Sequence, residues 1–164
     1  MGVEVRELTE PDLPFLREML YEALTWRPDG ERYPPEFLLA HEQVTRYHEG
    51  WGRPGDVGLV AEDGGTPVGA LWYRLFTEDD HGEGYVDPET PELAIAVVAG
   101  RRGEGIGRTL LEAAVERARE DGVRKLSLSV DEDNPGKRLY ARVGWTEYEP
   151  GDGLGRMVLE ITPA

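Results

Sequence analysis

The chain has 164 residues, no cysteine, a formal net charge of −15 and a pI near 4.6, and this length suits one domain spanning residues 1–164. A surface this acidic repels polyanions, which argues against DNA or RNA partners, and the lack of thiols excludes disulfides and thiolate metal sites. The chain contains no apolar run of about 18 residues and no charged-then-apolar amino terminus, so we expect no membrane span, no secretory signal and a cytoplasmic protein.

The amino-terminal third is predicted to contain a strand and then helices. Alternating apolar residues over 3–8 predict a short strand, and the sequence Thr-Glu-Pro-Asp at 9–12 is typical of a helix start. Leucines then recur with helical spacing over residues 13–24. A second helical pattern covers residues 36–48, inside a segment rich in proline, glycine and aromatic residues.

A hairpin is predicted next. Residues 57–62 and 68–76 are both apolar and β-branched, and the connection over 63–67 contains Asp-Gly-Gly. A variable stretch over 77–91 then leads to another strand. No internal repeat or second domain is indicated.

The most informative segment is an apolar strand, residues 93–98, that leads into a glycine-rich loop at 102–108 and then into a helix. Glycines at 103, 105 and 107 let backbone N–H groups converge on one point without obstruction by Cβ atoms. The following helix adds its unpaired first amides and the positive end of its dipole. The segment therefore predicts a binding site for a phosphate group or another anion.

Two common phosphate-binding motifs fit this loop poorly. A mononucleotide P-loop requires a Lys-Ser or Lys-Thr pair, which occurs nowhere in the chain, so a kinase or an ATPase is disfavoured. A dinucleotide fingerprint requires a third glycine where this chain has Arg108, and it belongs at the start of a doubly wound sheet. A nucleotide-binding oxidoreductase remains an alternative that tight NAD binding would reveal.

Further elements follow the loop in a fixed order. A helix with one apolar face extends to Asp121-Gly122, and a strand over 126–130 alternates leucine and serine. The motif Asp-Asn-Pro-Gly-Lys-Arg-Leu-Tyr then begins at residue 133 and continues to Gly-Trp at 144–145. A last strand is predicted over 155–161.

Together these two motifs resemble the GNAT N-acetyltransferase superfamily. The pattern R-x-x-G-x-G at Arg102, Gly105 and Gly107 is similar to its acyl-CoA pyrophosphate loop, and residues 133–145 are similar to its closing D-N-P-x-x-R-L-Y motif. The resemblance implies an α/β (α+β) fold, the GNAT acyl-CoA N-acyltransferase fold. Its mixed, mostly antiparallel sheet has six to seven strands, flanked by about four helices and splayed between its two central parallel strands.

The resemblance also implies how acetyl-CoA binds. Backbone groups of the strand at 95–97 would pair with the pantetheine arm, and the amides of residues 103–108 would hold the diphosphate. Arg102 is expected to fix the loop and to add positive potential. The expected cofactor-binding residues are Ile95, Ala96, Val97, Arg102, Gly103, Glu104, Gly105, Ile106, Gly107, Arg108 and Asn134. A cofactor core over about 92–146 would then adjoin an acceptor side over about 21–91.

Acetyl transfer to an amine needs a base, because an alkylammonium with a pKa near 10 is almost fully protonated at neutral pH. Glu92, at the start of the strand before the glycine loop, is the first candidate. Alternatively, Glu92 is only a charged residue that ends the strand, because a single bulge would turn its side chain to the other face of the sheet. His81, Glu83 and Tyr85 are other candidate bases.

The leaving CoA thiolate needs a proton, and Tyr140 aligns with the tyrosine of the family's L-Y motif. Packing of a structural tyrosine is the alternative. Asn134 either binds the pantetheine or caps the short helix that begins near Pro135. Without cysteine, the acceptor is expected to attack the thioester directly.

The remaining conspicuous residues give weaker indications. His41 and His48 lack a third ligand, so no metal is predicted. The aromatic residues Trp26, Tyr33, Trp51, Trp72 and Tyr73, with Arg74, line either the core or an acceptor pocket. The acceptor is expected to be a small-molecule or peptide amine, a homodimer is left open, and a non-catalytic acyl-CoA sensor is the alternative function.

Overall fold

The computed structural model describes residues 2–163, in which seven strands form one sheet. The strands are β1 Glu4–Glu7, β2 Val57–Asp63, β3 Thr66–Arg74, β4 Glu92–Val97, β5 Lys125–Ser129, β6 Thr146–Glu147 and β7 Arg156–Glu160. The helices are α1 Leu13–Leu24, α2 Pro35–Leu39, α3 Glu42–Thr45, α4 Ile106–Glu120 and α5 Gly136–Arg142, and two 3₁₀ turns span Glu10–Asp12 and Ala99–Arg101. The strand order is β1-β2-β3-β4-β5-β7-β6. Every neighbouring pair is antiparallel except β4 and β5, so the sheet is mixed and mostly antiparallel, as predicted.

Two apolar clusters cover the two faces of the sheet. On one face, Leu16, Met19 and Leu20 of α1 are buried against β3 and β4. On the other, Leu110, Leu111, Ala114 and Ala118 of α4 lie together on the helix face that packs against the sheet. Because the apolar residues of each helix recur at three- and four-residue spacing, a single stripe is buried and the charged residues remain outside.

The start of α1 agrees with its sequence signal. Thr9 precedes the 3₁₀ turn, and its backbone N–H donates to Asp12 Oδ2 at 2.8 Å. Arg6 of β1 adds two hydrogen bonds to the same carboxylate, at 2.7 and 2.8 Å. This junction fixes the angle between β1 and α1.

The single helix predicted over 36–48 is wrong, because the structure divides that segment into α2 and α3. The division lies at Ala40 and His41, where His41 is extended and its Nδ1 accepts a hydrogen bond from Gln43 N at 3.1 Å. A side chain that caps a new helix competes with continuation of the old one. The apolar spacing alone could not locate this break.

The hairpin of β2 and β3 follows the prediction closely. Gly64 and Gly65 both have positive φ, 58° and 85°, as a two-residue type I′ turn requires. The carboxyl-terminal strands depart further from the sequence pattern, since the two-residue β6 was not predicted. Among residues 2–163, no helix combines the length and apolar character needed to cross a membrane.

Candidate active site

The central parallel strands of the sheet separate almost as soon as they meet. Glu92 of β4 lies opposite Ser127 of β5, and Ser127 N donates to Pro91 O at 3.0 Å. This is the one register pair that joins the two strands in the described chain, although β4 continues to Val97. The divergence leaves a gap along the edge of β4, which we call the fork.

Backbone polar groups of β4 are directed into the fork. Val98 N donates to Val68 O of β3 at 2.9 Å, which places Val98 in a hydrogen-bonded pair. Because such pairs alternate along an antiparallel ladder, Ala96 also turns its N–H and C=O toward β3. Ile95 and Val97 therefore turn theirs toward the fork, so only these two of the three predicted strand residues offer free polar groups there.

The glycine loop, residues 102–108, presents unpaired amides at the start of α4. Within residues 2–163, none of the six backbone N–H groups from Gly103 to Arg108 donates a hydrogen bond. The next amide along the chain, Thr109 N, does donate one, to Gly105 O at 3.1 Å. Gly103 and Gly105 have φ values of 81° and 87°, which side-chain-bearing residues rarely adopt. The loop has the donors and the dipole of an anion site.

Arginine side chains around the loop are held by carboxylates. Arg102 contacts Glu22 of α1, with 3.1 Å between Nη2 and Oε2, so its guanidinium ties the loop to the opposite side of the sheet. Arg101 bridges Asp63 and Glu104 at 2.8 and 2.9 Å. These pairs restrain the loop backbone, and the carboxylates offset the positive charge of the arginines that they hold.

Glu92, the predicted base, lies on the α1 side of the sheet. Its side chain is buried, with 4% of the residue exposed, and Oε2 accepts a hydrogen bond of 2.5 Å from the Tyr47 hydroxyl. Oε1 is buried and has no hydrogen-bond partner within residues 2–163, although Gly84 N–H lies close to the carboxylate. Burial raises the pKa of Glu92, and the Tyr47 hydrogen bond opposes part of that effect.

The alternative bases lie on the loop that covers Glu92. The His81 ring stacks on Tyr85 with 4.3 Å between centroids, and the buried Tyr85 hydroxyl has no partner within residues 2–163. Glu83 is exposed. Of these four candidates, Glu92 is the buried carboxylate at the fork. Sequence reasoning missed Tyr47, which is 45 residues away and carries no local motif.

Tyr140, the predicted acid, lies in α5 beside the amino-terminal end of α4. Leu139 Cδ2 is 3.4 Å from the position that a Cβ would take at Gly107, so the two helices are in contact next to the glycine loop. Burial raises the pKa of the Tyr140 phenol to about 12. Asn134 Oδ1 accepts a hydrogen bond from Gly136 N at 2.8 Å. This contact corresponds to the helix-capping role, one of the two roles predicted for Asn134.

Other predicted candidates are occupied in packing. Trp72 is buried on the α1 side and donates to Tyr47 O at 2.9 Å, whereas Tyr73 is buried on the α4 side. His48 is buried between Arg17 and Leu39 O, at 3.2 and 2.9 Å. No group of three potential metal ligands occurs among the residues described.

The model of the acetyltransferase (GNAT) family matches residues 13–145, which includes the fork, the glycine loop and α5. The chain belongs to the acetyltransferase (GNAT) family. This membership confirms the predicted family and fold. The described residues of this GNAT domain contain both the fork and the six unpaired amides of the glycine loop.

Known proteins similar to this GNAT domain include a mycothiol acetyltransferase from Corynebacterium aurimucosum, 29% identical over 90% of this chain and 50% of the relative. The chain thus spans about half the length of such curated relatives. A ribosomal-protein-alanine N-acetyltransferase structure from Brucella melitensis is 27% identical, with a TM-score of 0.68 and coverage of 96% and 99% of the two chains.

A third similar protein is known with a ligand. The PaiA N-acetyltransferase from Thermoplasma acidophilum, in complex with coenzyme A, has a TM-score of 0.72 over 98% of this chain and 99% of that one. Its sequence identity is 20%, so it supports the fold. Within residues 2–163 the sheet has seven strands and a parallel central pair, which agrees with the predicted six to seven strands, and these neighbours share the overall fold.

Proposed function

We propose that this GNAT domain transfers the acetyl group of acetyl-CoA to the primary amine of a small molecule or a peptide, by direct attack. The observation that carries the proposal is the set of six backbone N–H groups, from Gly103 to Arg108, at the start of a 15-residue helix, which have no acceptor in the part of the chain that the structure describes. Such amides suit a diphosphate, because each can donate to a phosphate oxygen and the helix dipole adds to the attraction.

The fork fits the remainder of the acyl donor. Ile95 and Val97 have free N–H and C=O groups along the edge of β4, and the amides of a pantetheine arm can pair with such an edge as a strand does. Val97 N–H is the donor that we assign to the developing oxyanion. Residues 92–146 would then hold the donor, and residues 21–91 would form the acceptor side.

Proton transfers are assigned to the buried Glu92 and the half-buried Tyr140. Acetyl-CoA, when bound, supplies the thioester. Glu92 accepts the amine proton at Oε1, directly or through water, and its raised pKa brings its basicity closer to that of a working base at neutral pH. Tyr140 donates a proton to the departing thiolate. Its phenol stays protonated with a pKa of about 12, and its position must compensate for an acidity weaker than that of a thiol.

The acceptor is an amine of the kind that an acidic protein attracts. The net charge of −15 favours cationic over anionic small molecules near the surface. Similar proteins are named for mycothiol and for the alanine of a ribosomal protein, which places both small molecules and peptides in the range to be screened. We place the activity in the cytoplasm, and light scattering of the purified chain tests whether it forms a homodimer.

Ligand binding tests the first part of the proposal. Acetyl-CoA at 100 times its dissociation constant should stabilise the protein by about 2.7 kcal/mol, whereas NAD should not stabilise it. Gly105→Ala places a side chain at φ 87° in the loop and should abolish that stabilisation. Gly122→Ala is the matched control, because Gly122 has φ 75° and, like Gly105, open space where Cβ would lie, but it ends α4 instead of beginning it.

Turnover tests the second part. A panel of amines is incubated with acetyl-CoA, and release of CoA is followed with a thiol reagent. At least one primary amine should release CoA in an enzyme-dependent manner, with the acetylated amine detected by mass spectrometry. Binding of acetyl-CoA without any turnover across the panel would favour the acyl-CoA sensor, and stabilisation by NAD alone would favour an oxidoreductase.

A further inference from the structure

We infer that Tyr47 is a positioning residue for Glu92: its hydroxyl occupies Oε2 and leaves Oε1 as the oxygen that receives the acceptor's proton. The inference rests on the proposed role of Glu92 and adds a second residue from the acceptor side of the chain. The hydrogen bond between Tyr47 Oη and Glu92 Oε2 measures 2.5 Å, in the range of hydrogen bonds to a charged acceptor.

Both the backbone and the ring of Tyr47 are held by neighbouring residues. Its carbonyl accepts a hydrogen bond from Trp72 Nε1 at 2.9 Å, and its N–H donates to Val44 O at 3.0 Å. Its ring meets Phe76 edge to face, with 5.7 Å between centroids. The phenol therefore approaches the carboxylate from a fixed direction, and the carboxylate cannot rotate without losing this bond.

The covering loop is shaped to fit the pair. A Cβ at Gly82 would lie 1.7 Å from Tyr47 Oη and 2.8 Å from Glu92 Oε2, and a Cβ at Gly84 would lie 3.0 Å from Glu92 Cγ. Any side chain at position 82 would displace the hydroxyl. Glycine at this position is explained by close approach to the pair, since Gly82 does not have the positive φ that explains many other glycines here.

The charged groups around the pair leave Tyr47 as the main hydrogen-bond donor to the carboxylate. Arg46 and His81 attract the Glu92 carboxylate more weakly than Tyr47 does. Arg46 also lowers the pKa of Tyr47, whereas Glu83 of the covering loop raises it. Arg74, the neighbour of Glu92 in the β3–β4 register, directs its guanidinium away to Asp56 and to backbone carbonyls. Removing the Tyr47 hydroxyl should therefore make the Glu92 carboxylate harder to ionise.

The test compares Tyr47→Phe with Tyr73→Phe. Tyr47→Phe keeps the ring against Phe76 and deletes one hydroxyl, and Tyr73→Phe deletes a buried hydroxyl on the other side of the sheet that has no partner among residues 2–163. For Tyr47→Phe we expect kcat/KM at pH 7 to fall about tenfold or more. The acid limb of the kcat/KM profile should move to higher pH, while acetyl-CoA affinity stays unchanged. Tyr73→Phe should change none of these.

Two further measurements keep the inference testable. The Glu92 carboxyl is titrated by carbon NMR in glutamate-labelled protein, with its signal identified by Glu92→Gln, and its pKa should rise in Tyr47→Phe. If Tyr47→Phe does not fold, Gly82→Ala breaks the same bond from the loop side and should give the same shift. An unmoved acid limb and an unmoved titration overturn the role of Tyr47. A Glu92→Gln protein with full activity would instead overturn the proposed base.

Discussion

Arg74 and Asp56 form a buried bidentate ion pair between β3 and the segment before β2, with Nε to Oδ1 at 2.9 Å and Nη2 to Oδ2 at 3.0 Å. Both side chains are almost fully buried, at 1% and 2% exposure. Arg74 also donates to the carbonyl oxygens of Arg46, Glu49 and Gly50, at 3.0, 2.7 and 3.1 Å. The pair thus fixes the segment that contains Tyr47 against the strand next to Glu92.

Arg74→Met is expected to destabilise the protein by about 3–5 kcal/mol, because it leaves the Asp56 carboxylate buried without its cation and three carbonyls without their donor. Urea denaturation at pH 7 measures the loss. Arg101→Met is the control, since the Arg101–Asp63 pair is about one-third exposed at both side chains and should contribute about 1 kcal/mol or less. Equal losses in the two variants would contradict the importance of burial.

Replacing Glu92 by Gln should abolish most turnover and leave acetyl-CoA binding intact. In the native protein kcat/KM should rise with pH through the raised pKa of Glu92, because the base works only when ionised. The variant should lose this dependence. The measurement is a pH series of initial rates with one acceptor, paired with calorimetric titration of acetyl-CoA.

The same residue predicts a stability effect of defined sign. The pKa of Glu92 is higher in the folded protein than its reference value of 4.5, so the folded state binds the proton more tightly. The stability that this confers is complete below pH 4.5 and is lost as pH rises through the folded pKa. Glu92→Gln should therefore be more stable than the native protein at pH 8, and the difference should shrink toward pH 4 in urea denaturation.

Tyr140→Phe should lower kcat by about 100-fold with an unchanged dissociation constant for acetyl-CoA, because the variant lacks only the proton for the thiolate. With a pKa raised to about 12, Tyr140 remains protonated throughout neutral pH. The native kcat should therefore show no decline assigned to this group below about pH 10. Tyr148→Phe, in the segment between β6 and β7, is the control, and an equal loss there would argue against a specific donor.

The Arg6–Asp12 pair predicts an acid-sensitive contribution to stability. Two hydrogen bonds from Arg6 hold the pKa of Asp12 well below its usual 3.8, so its stabilisation is present above that pH and is lost as pH falls through the folded pKa. Arg6 is 37% exposed, which limits the effect of Asp12→Asn at pH 7 to about 1 kcal/mol. The effect should diminish in urea titrations at pH 3. Asp133→Asn, an exposed partner of Arg27, should cause no measurable change.

Local sequence determined the elements whose conformations depend on near neighbours. The glycine loop was predictable because Gly103 and Gly105 have backbone angles that few other residues tolerate, and the β2–β3 turn was predictable because Gly64 and Gly65 do too. The face of α4 was predictable because its spacing recurs within the helix. The order of these elements predicted the family, and the family predicted the architecture of the sheet.

Tertiary structure alone decided which side chains meet. Tyr47 and Glu92 are 45 residues apart, and Arg102 and Glu22 are 80 apart, so no local pattern pairs them. The break between α2 and α3 depended on a histidine cap, and β6 on pairing with β7. Backbone conformation follows from a residue and its neighbours, whereas the partner and the burial of a charged side chain follow from the packing of distant segments. The glycine loop could therefore be predicted from the sequence, and the environment of Glu92 could be found only in the fold.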